Sequence, residues 1–507
     1  MKILLANPPC RIDLPEENER YFVRAGSRWP FSTLKKKNDK PEYVPFPFYL
    51  AYCAALLEKN NHDVFVIDAI PLNLDVQEFR KLVFNCSPDC IFFETSTPTI
   101  DYDLKLVKEL KKDTGAIIIL AGSHVTVFPE EVMNASAEVD FILLGEYELS
   151  LLNLIENLGT TSPISGLVYR NKGEIINGGR GNSIDPLDQL PYPAYHLFPV
   201  SPNVNLHSSY PVFQNAYWDG FCQYRPTVQM HSSRGCPFKC NFCLWNQVMY
   251  DSGKYRMFSP KRVVDEMEYV IKKFHPKEIY FDDDSFTINK EHVLGICEEI
   301  MKRGIKIRWS CMGDAMVTDE DMLKKMAASG CIGMKFGVES GNKSILKNIN
   351  KPIDFKRVRK TAELCAALGI KTHATFSFGL LGETRETMLE TMQFSKQLDV
   401  DTVQFSITTP FPGTKYFDEM EKSNLLSYKH WSDFDGANSF VVNNKNLPNN
   451  IVSEFCDKAR GEWLREKYKD IKWDIRQIRN MLRVLKGQGM GAFLDRTKKG
   501  LGLLVKT

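Results

Sequence analysis

The sequence predicts an α/β chain with an N-terminal doubly wound Rossmann-like parallel sheet, a partial (β/α)6 TIM-type barrel and a helical C-terminal region. Two observations lead to this prediction. Short continuous runs of Val, Ile and Phe recur along the chain, which is typical of strands covered on both faces in a parallel sheet. Amphipathic helical patterns separate these runs, and such alternation is characteristic of parallel α/β folds.

The first sheet is predicted from apolar runs near the amino terminus. These predicted strands are residues 3–6, 64–68, 91–94, 117–121 and 141–144. Helical patterns lie between them at residues 48–59, 101–112 and 149–158. Strand–helix units of this kind make an open sheet, which binds ligands at the carboxyl ends of its strands.

The regular alternation stops after residue 162 and returns near residue 226. Within this region, residues 166–178 predict a β-hairpin, and residues 185–198 carry three Pro and several aromatic residues without a helical period. Gly and Pro at such density mark turns rather than helices or strands. We interpret residues 163–225 as a linker that packs against the domains, not as a flexible one.

A second α/β region follows the linker. Its predicted strands are residues 227–231, 278–281, 306–310, 333–338, 372–378 and 402–407, and its predicted helices are residues 260–273, 290–303, 319–329, 354–368 and 383–398. Six strand–helix units are too few for a complete eight-stranded barrel, so we predict a partial barrel with its chemistry at the carboxyl ends of the strands. The predicted domains are therefore 1–162, 163–225, 226–424 and 425–507.

The composition excludes several classes of protein. The chain has 507 residues, of which 43% are hydrophobic and 25% charged, with a net charge of +2. Such a balance gives no global attraction to nucleic acid, and no uncharged apolar run approaches the roughly eighteen residues that a membrane helix needs. The thirteen Cys are an odd number and lack the density of a secreted disulfide scaffold. We predict a cytoplasmic enzyme with reduced thiols.

The C-terminal tail, residues 471–507, is locally basic. It carries nine Lys or Arg against two Asp, and apolar residues are interleaved with the charges. A basic amphipathic stretch can lie on an anionic membrane, which would place the protein peripherally at the inner membrane surface. The simpler alternative, which we favour, is a helix packed on the barrel with a solvated basic face.

The strongest motif follows the first strand of the second region and contains Cys236, Cys240 and Cys243. Three thiolates at these spacings can converge on one iron–sulfur cube, because such clusters are held by Cys thiolates. Three ligands for four irons leave one iron open, and an open position makes a metal centre catalytic. The alternatives are a zinc site completed by His231 or a chance grouping. A zinc site more usually pairs C-x-x-C with a second pair, which this chain lacks.

At these residues the chain resembles the radical S-adenosylmethionine (SAM) superfamily, whose pattern is C-x-x-x-C-x-aromatic-C, with Phe242 as the aromatic residue. The resemblance implies a 4Fe–4S cluster whose open iron binds SAM. One electron from an external donor such as flavodoxin or ferredoxin would then cleave SAM to methionine and a 5′-deoxyadenosyl radical. That radical removes hydrogen from an unactivated carbon, while the protein orients the reactants and excludes water.

The resemblance extends to later strand ends and implies SAM contacts there. The acidic residues 282–284 end the second strand, where the family contacts the methionine amine, and Asp283 and Asp284 are the candidates. A solvated helix cap is the simpler alternative for these acids. Glu339 and Ser340 end the fourth strand, where the family holds the ribose or the methionine carboxylate.

Two further strand ends fit the family, and one departs from it. Phe378 ends the fifth strand and is a further candidate for contact with SAM, just before residues 379–384, which match G-x-P-G-E-T except that Leu381 replaces Pro. Residues 409–414 end the sixth strand. At the third strand Gly313 occupies a place where the family often has Arg. Turn chemistry explains each segment singly, but four in register favour the family.

The strand ends of the first domain resemble the cobalamin-binding domain of one radical SAM subfamily. The matching segments are residues 1–9, 95–99, 121–126 and 144–148. Small hydroxyl-bearing loops can admit a flat macrocycle and hydrogen-bond its edge, and the absence of G-x-G-x-x-G argues against a dinucleotide. The resemblance implies cobalamin contacts at Pro8, Ser96, Thr97, Gly122, Ser123, His124, Gly145 and Glu146.

One signature of cobalamin proteins is missing. The D-x-H-x-x-G pattern, whose His binds cobalt, does not follow the first strand; in the radical subfamily cobalt is commonly bound without a protein His. His124 is therefore either a contact or, more simply, a structural hydrogen-bonding residue. The domain itself either binds cobalamin, as we predict, or has kept its fold without the cofactor.

Together these resemblances predict a cobalamin-dependent radical SAM enzyme that methylates an unactivated carbon with methyl from methylcobalamin, a C-methyltransferase. The alternatives are a cyclase, oxidase or rearrangement enzyme with the same cofactors, and a non-catalytic cobalamin- or metal-binding sensor. The predicted partner is a small-molecule substrate, with a lipid-like one favoured slightly by the basic tail. The chain has no dedicated nucleic-acid-binding module. Substrate contacts are expected from residues 210–224 and the C-terminal helices, and no catalytic residue is assigned.

Overall fold

The computed structural model describes residues 1–37, 39–158, 165–199, 217–250, 253–436, 439–443 and 447–469, together with Leu485. These residues form two compact units, and the chain passes between them several times. The first unit holds those within Met1–Trp218, Gly235–Arg256 and Thr409–Val442, and the second holds those within Asp219–Arg234, Met257–Thr408 and Asn443–Thr507. The predicted domain limits stay predictions. Except for Leu485, the predicted basic tail lies outside the described residues.

The strands and helices of the described residues are numbered in chain order. The strands are β1 (Lys2–Asn7), β2 (Arg11–Asp13), β3 (Asn18–Val23), β4 (Phe31–Lys36), β5 (Asp63–Asp68), β6 (Cys90–Thr95), β7 (Ile117–Gly122), β8 (Phe141–Leu143), β9 (Leu167–Asn171), β10 (Glu174–Asn177), β11 (Thr227–Met230), β12 (Ser233–Gly235), β13 (Tyr255–Met257), β14 (Glu278–Phe281), β15 (Arg308–Gly313), β16 (Cys331–Glu339), β17 (Lys371–Phe378) and β18 (Thr402–Ile407). The helices are α1 (Phe48–Lys59), α2 (Val76–Cys86), α3 (Ile100–Thr114), α4 (Ser123–Val127), α5 (Pro129–Ala135), α6 (Glu148–Glu156), α7 (Leu244–Val248), α8 (Pro260–Phe274), α9 (Lys290–Lys302), α10 (Glu320–Ala328), α11 (Lys343–Asn348), α12 (Phe355–Leu368), α13 (Arg385–Lys396), α14 (Lys415–Lys422) and α15 (Asn449–Lys469).

The sheet of the first unit has the order β10-β9-β8-β7-β6-β1-β5. Its strands β5, β1, β6, β7 and β8 run parallel, which confirms the predicted doubly wound sheet. The predicted hairpin β9–β10 joins the β8 edge in antiparallel fashion. The chain order reverses between β1 and β6, so the loops after these two strands diverge and open a crevice at their carboxyl ends.

A three-stranded antiparallel sheet, β2-β3-β4, follows the first strand of this unit. The sequence prediction missed it, and it missed α2 as well, although Asp75 and Glu78 form a capping box at the start of that helix. The β2–β4 segment is rich in charged residues and only half-buried, so it shows no continuous apolar run. Its strands pair locally through the backbone, which leaves little trace in the side-chain pattern.

The sheet of the second unit has six parallel strands in chain order, β11-β14-β15-β16-β17-β18. This confirms the predicted partial barrel. Its two faces differ, as β17 shows: Thr372, Ala374, Phe376 and Phe378 are buried, and the alternating residues are partly exposed and mostly polar. Because side chains alternate between the faces of a strand, the helices cover one face and the other forms a polar barrel interior.

Residues 219–224, the plug segment, close the amino end of this barrel interior. The backbone N–H groups of Gln223 and Tyr224 donate to Glu278 Oε2 at 2.6 and 2.8 Å, and Ser310 Oγ donates to Glu278 Oε1 at 2.7 Å. Gln223 Nε2 also donates to the carbonyl of Ile332 at 3.0 Å. The plug segment is thus fastened to β14 and β16, and Ser310 of β15 holds the Glu278 carboxylate that it binds.

Phe221 is the apolar centre of the plug segment. Its ring centroid lies 6.2 Å from that of Tyr280 and 5.9 Å from that of His373, and Lys335 Nζ and Lys371 Nζ lie 5.8 and 5.1 Å from it. Burial, with smaller contributions from the two lysines, lowers the pKa of His373 to about 3. The amino end is therefore packed, which leaves the carboxyl end of the strands for chemistry.

Helix α15 covers the last strand and the last barrel helix of the second unit. Trp463 is buried and its Nε1 donates to the carbonyl of Ser395 at 3.2 Å, while Lys396 Nζ and Glu462 Oε2 lie 2.6 Å apart. Between residues 425 and 448 the described residues contain one short 3-10 turn, Trp431–Asp433, so the C-terminal helix begins later than predicted. Among the described helices, none is long and apolar enough to cross a membrane.

Replacing Phe221 by Ala should lower the free energy of unfolding by about 3–5 kcal/mol, because it empties the centre of the plug segment. Phe221 is 4% exposed, whereas Phe84 on α2 is 59% exposed. Phe84→Ala is therefore the matched control and should change stability by at most ~0.5 kcal/mol. Denaturant unfolding of both variants measures the difference. Equal losses of unfolding free energy would contradict the packing of the plug segment at the amino end of the barrel.

Candidate functional site

The cluster loop, residues 236–243, carries the three motif cysteines in the first unit. Cys240 is buried, and Cys236 and Cys243 are partly exposed. Helix α7 begins directly after Cys243. From this helix Asn246 Nδ2 donates to the carbonyls of Cys236 and Phe238 at 3.1 and 2.8 Å. One amide side chain therefore fixes the first half of the loop.

Gln247 fixes the second half of the cluster loop. Its Nε2 donates to the carbonyls of Cys240, Asn241 and Cys243 at 3.3, 3.0 and 2.9 Å, and its Oε1 accepts from the backbone N–H of Lys415 at 3.1 Å. Sequence reasoning missed Asn246 and Gln247. The sequence indicated their role only weakly, namely in that they lie about one helical turn after Cys243, the last motif cysteine.

The start of the cluster loop depends on a glycine. Gly235 has a φ of +84°, and a Cβ at this position would overlap the carbonyl oxygen of Lys254. Only a residue without a side chain combines this left-handed backbone with so close an approach. The backbone path into Cys236 is therefore set by Gly235.

The cluster loop offers the donor set of an iron–sulfur cluster. Among the described residues, no group of three or more His, Cys, Asp or Glu side chains is arranged to hold a single metal ion. Three thiolates on a 4Fe–4S cluster bind three different irons, so they need not meet at one point. The donor set is three thiols from one short loop whose carbonyls are already held.

The predicted cobalamin-binding residues also lie in the first unit, at the carboxyl ends of β1, β6, β7 and β8. The turn after β6 is capped by Thr99, whose Oγ1 lies 3.2 Å from the N of Ser96 and 3.1 Å from its Oγ. Buried Arg24 joins this turn to the loop after β1, because it donates to the carbonyl of Pro8 at 2.5 Å and to Thr99 Oγ1 at 3.3 Å. It also pairs with buried Asp103. Arg24 therefore fixes both sides of the crevice.

His124 has the contacts of a structural residue in this unit. Its Nδ1 lies 3.3 Å from Thr97 Oγ1, and its ring centroid lies 5.3 Å from that of Phe128 and 4.9 Å from that of Trp431. Burial lowers the pKa of His124 to about 3, so the imidazole is neutral at physiological pH. A direct contact between His124 and cobalamin stays a prediction.

The other predicted cobalamin residues fall into two kinds. Gly122 has a φ of +109° and a Cβ there would overlap the Thr95 carbonyl, so it shapes the backbone before α4. Gly145 accepts a similar turn and is held through its N–H by Thr126 Oγ1 at 3.1 Å. Glu146 is buried and pairs with Arg256 at 2.8 Å. Gly122 and Gly145 shape the edge of the crevice, and Glu146 ties it to the segment after the cluster loop.

Two unsatisfied polar atoms show that the crevice suits a polar ligand. Asn7 Oδ1 and Arg24 Nε are buried and have no hydrogen-bond partner among the described residues. Buried polar groups without partners are costly, and these two, one acceptor and one donor, lie where β1 and β6 diverge. The amide-bearing rim of a corrin offers both kinds of partner, so the residues present fit cobalamin.

The predicted cobalamin residues at the carboxyl ends of β1, β6, β7 and β8 are called the cobalamin edge. The cobalamin edge packs against the cluster loop within the first unit. Helix α4 follows Gly122 and contacts α7, the helix that follows Cys243. Gly413 lies between them, and a Cβ on it would come within 2.6 Å of Val127 Cγ2 and 2.8 Å of Val248 Cγ2. The segment after β18, predicted as a strand-end motif, thus closes over both helices.

The predicted SAM residues at later strand ends belong to the second unit. Asp283 is buried, and its Oδ1 accepts from the N–H groups of Ser232 and Ser233 at 2.7 and 3.3 Å, while its Oδ2 accepts from their hydroxyls at 2.5 and 3.0 Å. Burial raises the pKa of Asp283 to about 7. Both carboxylate oxygens are thus occupied in holding the chain before the cluster loop. Asp284, next to it, is only partly buried.

Glu339 adopts a strained conformation at the end of β16. Its φ is +69°, which is uncommon for a non-glycine residue, and the register of β16 against β17 shifts at this point. The carboxylate folds back over Gly337, where a Cβ would overlap it, and accepts from Ser377 Oγ at 3.0 Å. Burial raises the pKa of Glu339. Strain of this kind persists where function requires a set geometry.

Ser340 and Phe378 have different environments. Ser340 Oγ lies 3.0 Å from Thr391 Oγ1, so the hydroxyl ties the strand end to α13. Phe378 is fully buried on the helix-covered face, stacked on Phe405 at 5.5 Å and edge-on to Phe455 at 5.2 Å. A contact of Phe378 with SAM would therefore come through its backbone rather than its ring.

Three further polar atoms at strand ends escaped the sequence analysis. Ser285 Oγ, Thr408 Oγ1 and Glu383 Oε1 are buried, and none of them has a hydrogen-bond partner in the described part of the chain. They follow β14, β18 and β17 respectively. Glu383 Oε2 accepts from the N–H groups of Gly379 and Leu380 at 2.6 and 3.1 Å, and burial raises the pKa of Glu383 to about 8. Such polar groups suit a polar ligand such as SAM.

Comparison with known proteins agrees with this geometry. Residues 230–395 match the radical SAM superfamily, and residues 38–155 match the B12 binding domain. An uncharacterized methyltransferase of Pyrococcus horikoshii is 30% identical over 418 residues, which cover 82% of this chain and 86% of the relative. The chain belongs to the cobalamin-binding radical SAM enzymes.

Two other comparisons describe this family membership further. The anaerobic magnesium-protoporphyrin IX monomethyl ester cyclase of Rubrivivax gelatinosus is 26% identical over 407 residues, 76% of this chain and 68% of the cyclase. The radical SAM methyltransferase TsrM from Kitasatospora setae, solved with cobalamin and a [4Fe–4S] cluster, superposes with a TM-score of 0.62 and 17% identity over 83% of this chain and 75% of TsrM. That likeness concerns the fold.

The cofactors of this radical SAM enzyme are a 4Fe–4S cluster, SAM and cobalamin, as the sequence analysis predicted. The assignment of individual residues to each cofactor stays a prediction. The geometry separates those residues into the cluster loop and cobalamin edge of the first unit and the strand ends of the second unit. Because the chain is a radical enzyme with an intact cysteine motif, the alternative of a zinc site is not needed.

Gly235→Ala should remove most of the iron from the anaerobically reconstituted enzyme, because a methyl group there displaces either the cluster loop or Lys254. Gly115→Ala is the matched control: its φ is +69°, but no atom lies within 4 Å of its Cβ position. Both variants carry the backbone cost of about 1–2 kcal/mol, and only Gly235→Ala adds the overlap. Iron content per chain decides, and equal iron in both variants would contradict the role given to Gly235.

Glu383→Gln should reduce the pH dependence of stability. Folded Glu383 keeps its proton up to a pH of about 8, against about 4.5 in the unfolded chain. The folded chain therefore binds more protons in this window, and the free energy of unfolding falls as pH rises, by at most about 1.4 kcal/mol per pH unit. Thermal unfolding at several values between pH 5 and 8.5 should show Glu383→Gln gaining on the wild type as pH rises. A constant offset would contradict the raised pKa.

Proposed function

We propose that this enzyme transfers a methyl group to a carbon of a small-molecule substrate. When bound, the cluster and SAM would supply a 5′-deoxyadenosyl radical that abstracts a hydrogen atom from carbon, and cobalamin would supply the methyl group. The protein contributes the positions of the three cofactors and the exclusion of water around them. An external one-electron donor, such as flavodoxin or ferredoxin, completes the proposed reaction.

The packing of α4 against α7 supports this function most directly. Methyl transfer needs the cobalamin edge and the radical-generating cluster close to one carbon. In the first unit the helix that follows the predicted cobalamin residue Gly122 contacts the helix that follows Cys243, with Gly413 between them. A scaffold without cobalamin chemistry would not require this contact.

We assign the cluster to Cys236, Cys240 and Cys243, with Asn246 and Gln247 orienting the loop that carries them. The hydrogen bonds from the two amides to the loop carbonyls fix the backbone of the loop, so that only the cysteine side chains can rotate. A preorganised loop avoids the cost of ordering the ligands when the cluster assembles. Phe242 lies in the same loop as the proposed aromatic contact to SAM.

We assign the remaining SAM contacts to Asp284, Glu339, Ser340 and the backbone at Phe378. Glu339 is the strongest candidate, because its left-handed backbone and its bond to Ser377 fix one carboxylate direction. Asp283 then acts as a positioning residue, since Ser232 and Ser233 occupy both of its oxygens. For cobalamin we assign the loops at Pro8, at Ser96 and Thr97, at residues 122–124 and at residues 145–146.

Ring closure is the second candidate function. The cyclase relative of Rubrivivax gelatinosus covers most of this chain at 26% identity, so the same two domains serve a reaction whose name implies no methyl transfer. The two functions differ in what happens to SAM. A methyltransferase of this type consumes SAM both as methyl donor and as radical source, whereas a cyclase needs only the radical source.

The products of SAM therefore distinguish the two functions without a known substrate. Anaerobically reconstituted enzyme with cobalamin, reductant and SAM bearing a trideuterated methyl group should form S-adenosylhomocysteine, labelled methyl on cobalamin and 5′-deoxyadenosine. Mass spectrometry measures all three. Cys240→Ala should lose at least about 100-fold in 5′-deoxyadenosine, because the cluster lacks one thiolate. Formation of 5′-deoxyadenosine without S-adenosylhomocysteine or labelled cobalamin would overturn methyl transfer and favour the cyclase.

A further inference from the structure

Trp29 contacts the aromatic residue of the cluster motif. It lies in the connection between β3 and β4, and its ring meets Phe242 edge-to-face at a centroid distance of 6.4 Å and an angle of 76°. It meets Phe411 in the same way at 4.9 Å and 90°. Edge-to-face pairs are a preferred arrangement of aromatic rings, so Trp29 stabilises one orientation of the Phe242 ring.

Trp29 is itself fixed by the backbone near Gly436. Its Nε1 donates to the carbonyl of Gly436 at 2.9 Å, and the N–H of Gly436 donates to the carbonyl of Pro30 at 3.0 Å. The N–H of Ser32 donates to Asp435 Oδ1 at 2.9 Å, and the Ser32 hydroxyl bonds to the other oxygen. A Cβ on Gly436 would overlap the indole. The absence of a side chain at Gly436 thus makes the space that Trp29 occupies.

A third segment completes this support. Thr409 Oγ1 donates to the carbonyls of Asp435 and Ser439 at 3.2 and 3.3 Å, and Phe411 follows two residues later. The residues that support Phe242 are 29–32, 409–411, 435–436 and 439, and they lie outside both regions that match known families, 38–155 and 230–395.

We propose that Trp29 is a positioning residue for SAM and acts through Phe242. Phe242 is only partly buried, so its ring would otherwise be free to change rotamer. Holding the ring in the binding orientation lowers the entropy lost when SAM binds, which is the general effect of preorganisation. The proposal rests on the contact between Phe242 and SAM, which methyl transfer and ring closure share.

Four variants and a control test the proposal in the reconstituted full-length chain. Phe242→Leu removes the ring that Trp29 is proposed to hold and should raise the Kd of SAM at least as much as the loss of Trp29. Trp29→Leu removes the ring edge, and Gly436→Ala displaces the indole from outside the cluster loop. The φ of Gly436 is outside the left-handed region, so the backbone tolerates Ala. Trp29→Phe keeps an aromatic edge and serves as the rescue. Gly461→Ala on α15 is the control, because no atom lies within 4 Å of its Cβ position.

The probe is SAM itself. Equilibrium dialysis gives its Kd, and the electron paramagnetic resonance signal of the reduced cluster, recorded with and without SAM, reports binding at the open iron. We expect Trp29→Leu and Gly436→Ala to keep wild-type iron and cobalamin but to raise the Kd of SAM about 3- to 10-fold, the range of one aromatic pair. Trp29→Phe should recover most of the affinity, and Gly461→Ala should match the wild type.

Three results would overturn the proposal. These are an unchanged Kd in both Trp29→Leu and Gly436→Ala, a loss of iron in parallel with the loss of SAM binding, and an unchanged Kd in Phe242→Leu. The second result would mean that Trp29 holds the cluster loop as a whole. Failure to form S-adenosylhomocysteine would remove methyl transfer alone and leave the role of Trp29 intact, so the two proposals fail separately.

Discussion

The close packing of α4 on α7 around Gly413 is the contact on which the rest of the site depends. Both helices have five residues, too few to be stable alone, because an isolated helix of that length cannot offset the cost of nucleation. Each is held by the strand end or loop before it and by the other helix. A side chain at Gly413 would separate them. The cobalamin edge and the cluster loop therefore form one packed body inside the first unit, and the order of one requires the order of the other.

Around this contact, polar side chains act mainly on the backbone. Asn246 and Gln247 hold the carbonyls of the cluster loop. Arg24 joins the loops that follow β1 and β6 in the first sheet. Asp283 holds the chain before the cluster loop. Buried polar groups must be paired, and pairing them with loop backbone gives an irregular segment the rigidity that regular hydrogen bonding gives a strand. Glu339 at the end of β16 differs from these residues in its strained, left-handed backbone.

The sequence predicted the two parallel sheets closely and the segments between them less well. Buried parallel strands such as β6 and β7 need continuous apolar runs, and their helices need one apolar stripe, so both leave a periodic pattern. The β2–β4 sheet, the β12–β13 pair, α2 and the short helices α4, α5, α7, α11 and α14 were missed. They are short or half-buried, and tertiary contacts rather than their own periodicity stabilise them. The division into units was also hidden, because the described residues within 235–256 and 409–442 belong to the first unit while their neighbours in sequence belong to the second.

For the site, the sequence by itself determined what depends on local spacing: the motif of three cysteines with Phe242, and the presence of the radical SAM and B12-binding domains. These follow from residues a few positions apart, whose geometry a loop or a strand end sets directly. Only the tertiary structure decided which residues support them. Trp29 and Gly436 meet across about four hundred residues of chain, and Asp283 meets Ser232 across 51 residues. Such pairs arise from the packing of distant segments, and packing depends on the whole fold rather than on any local pattern.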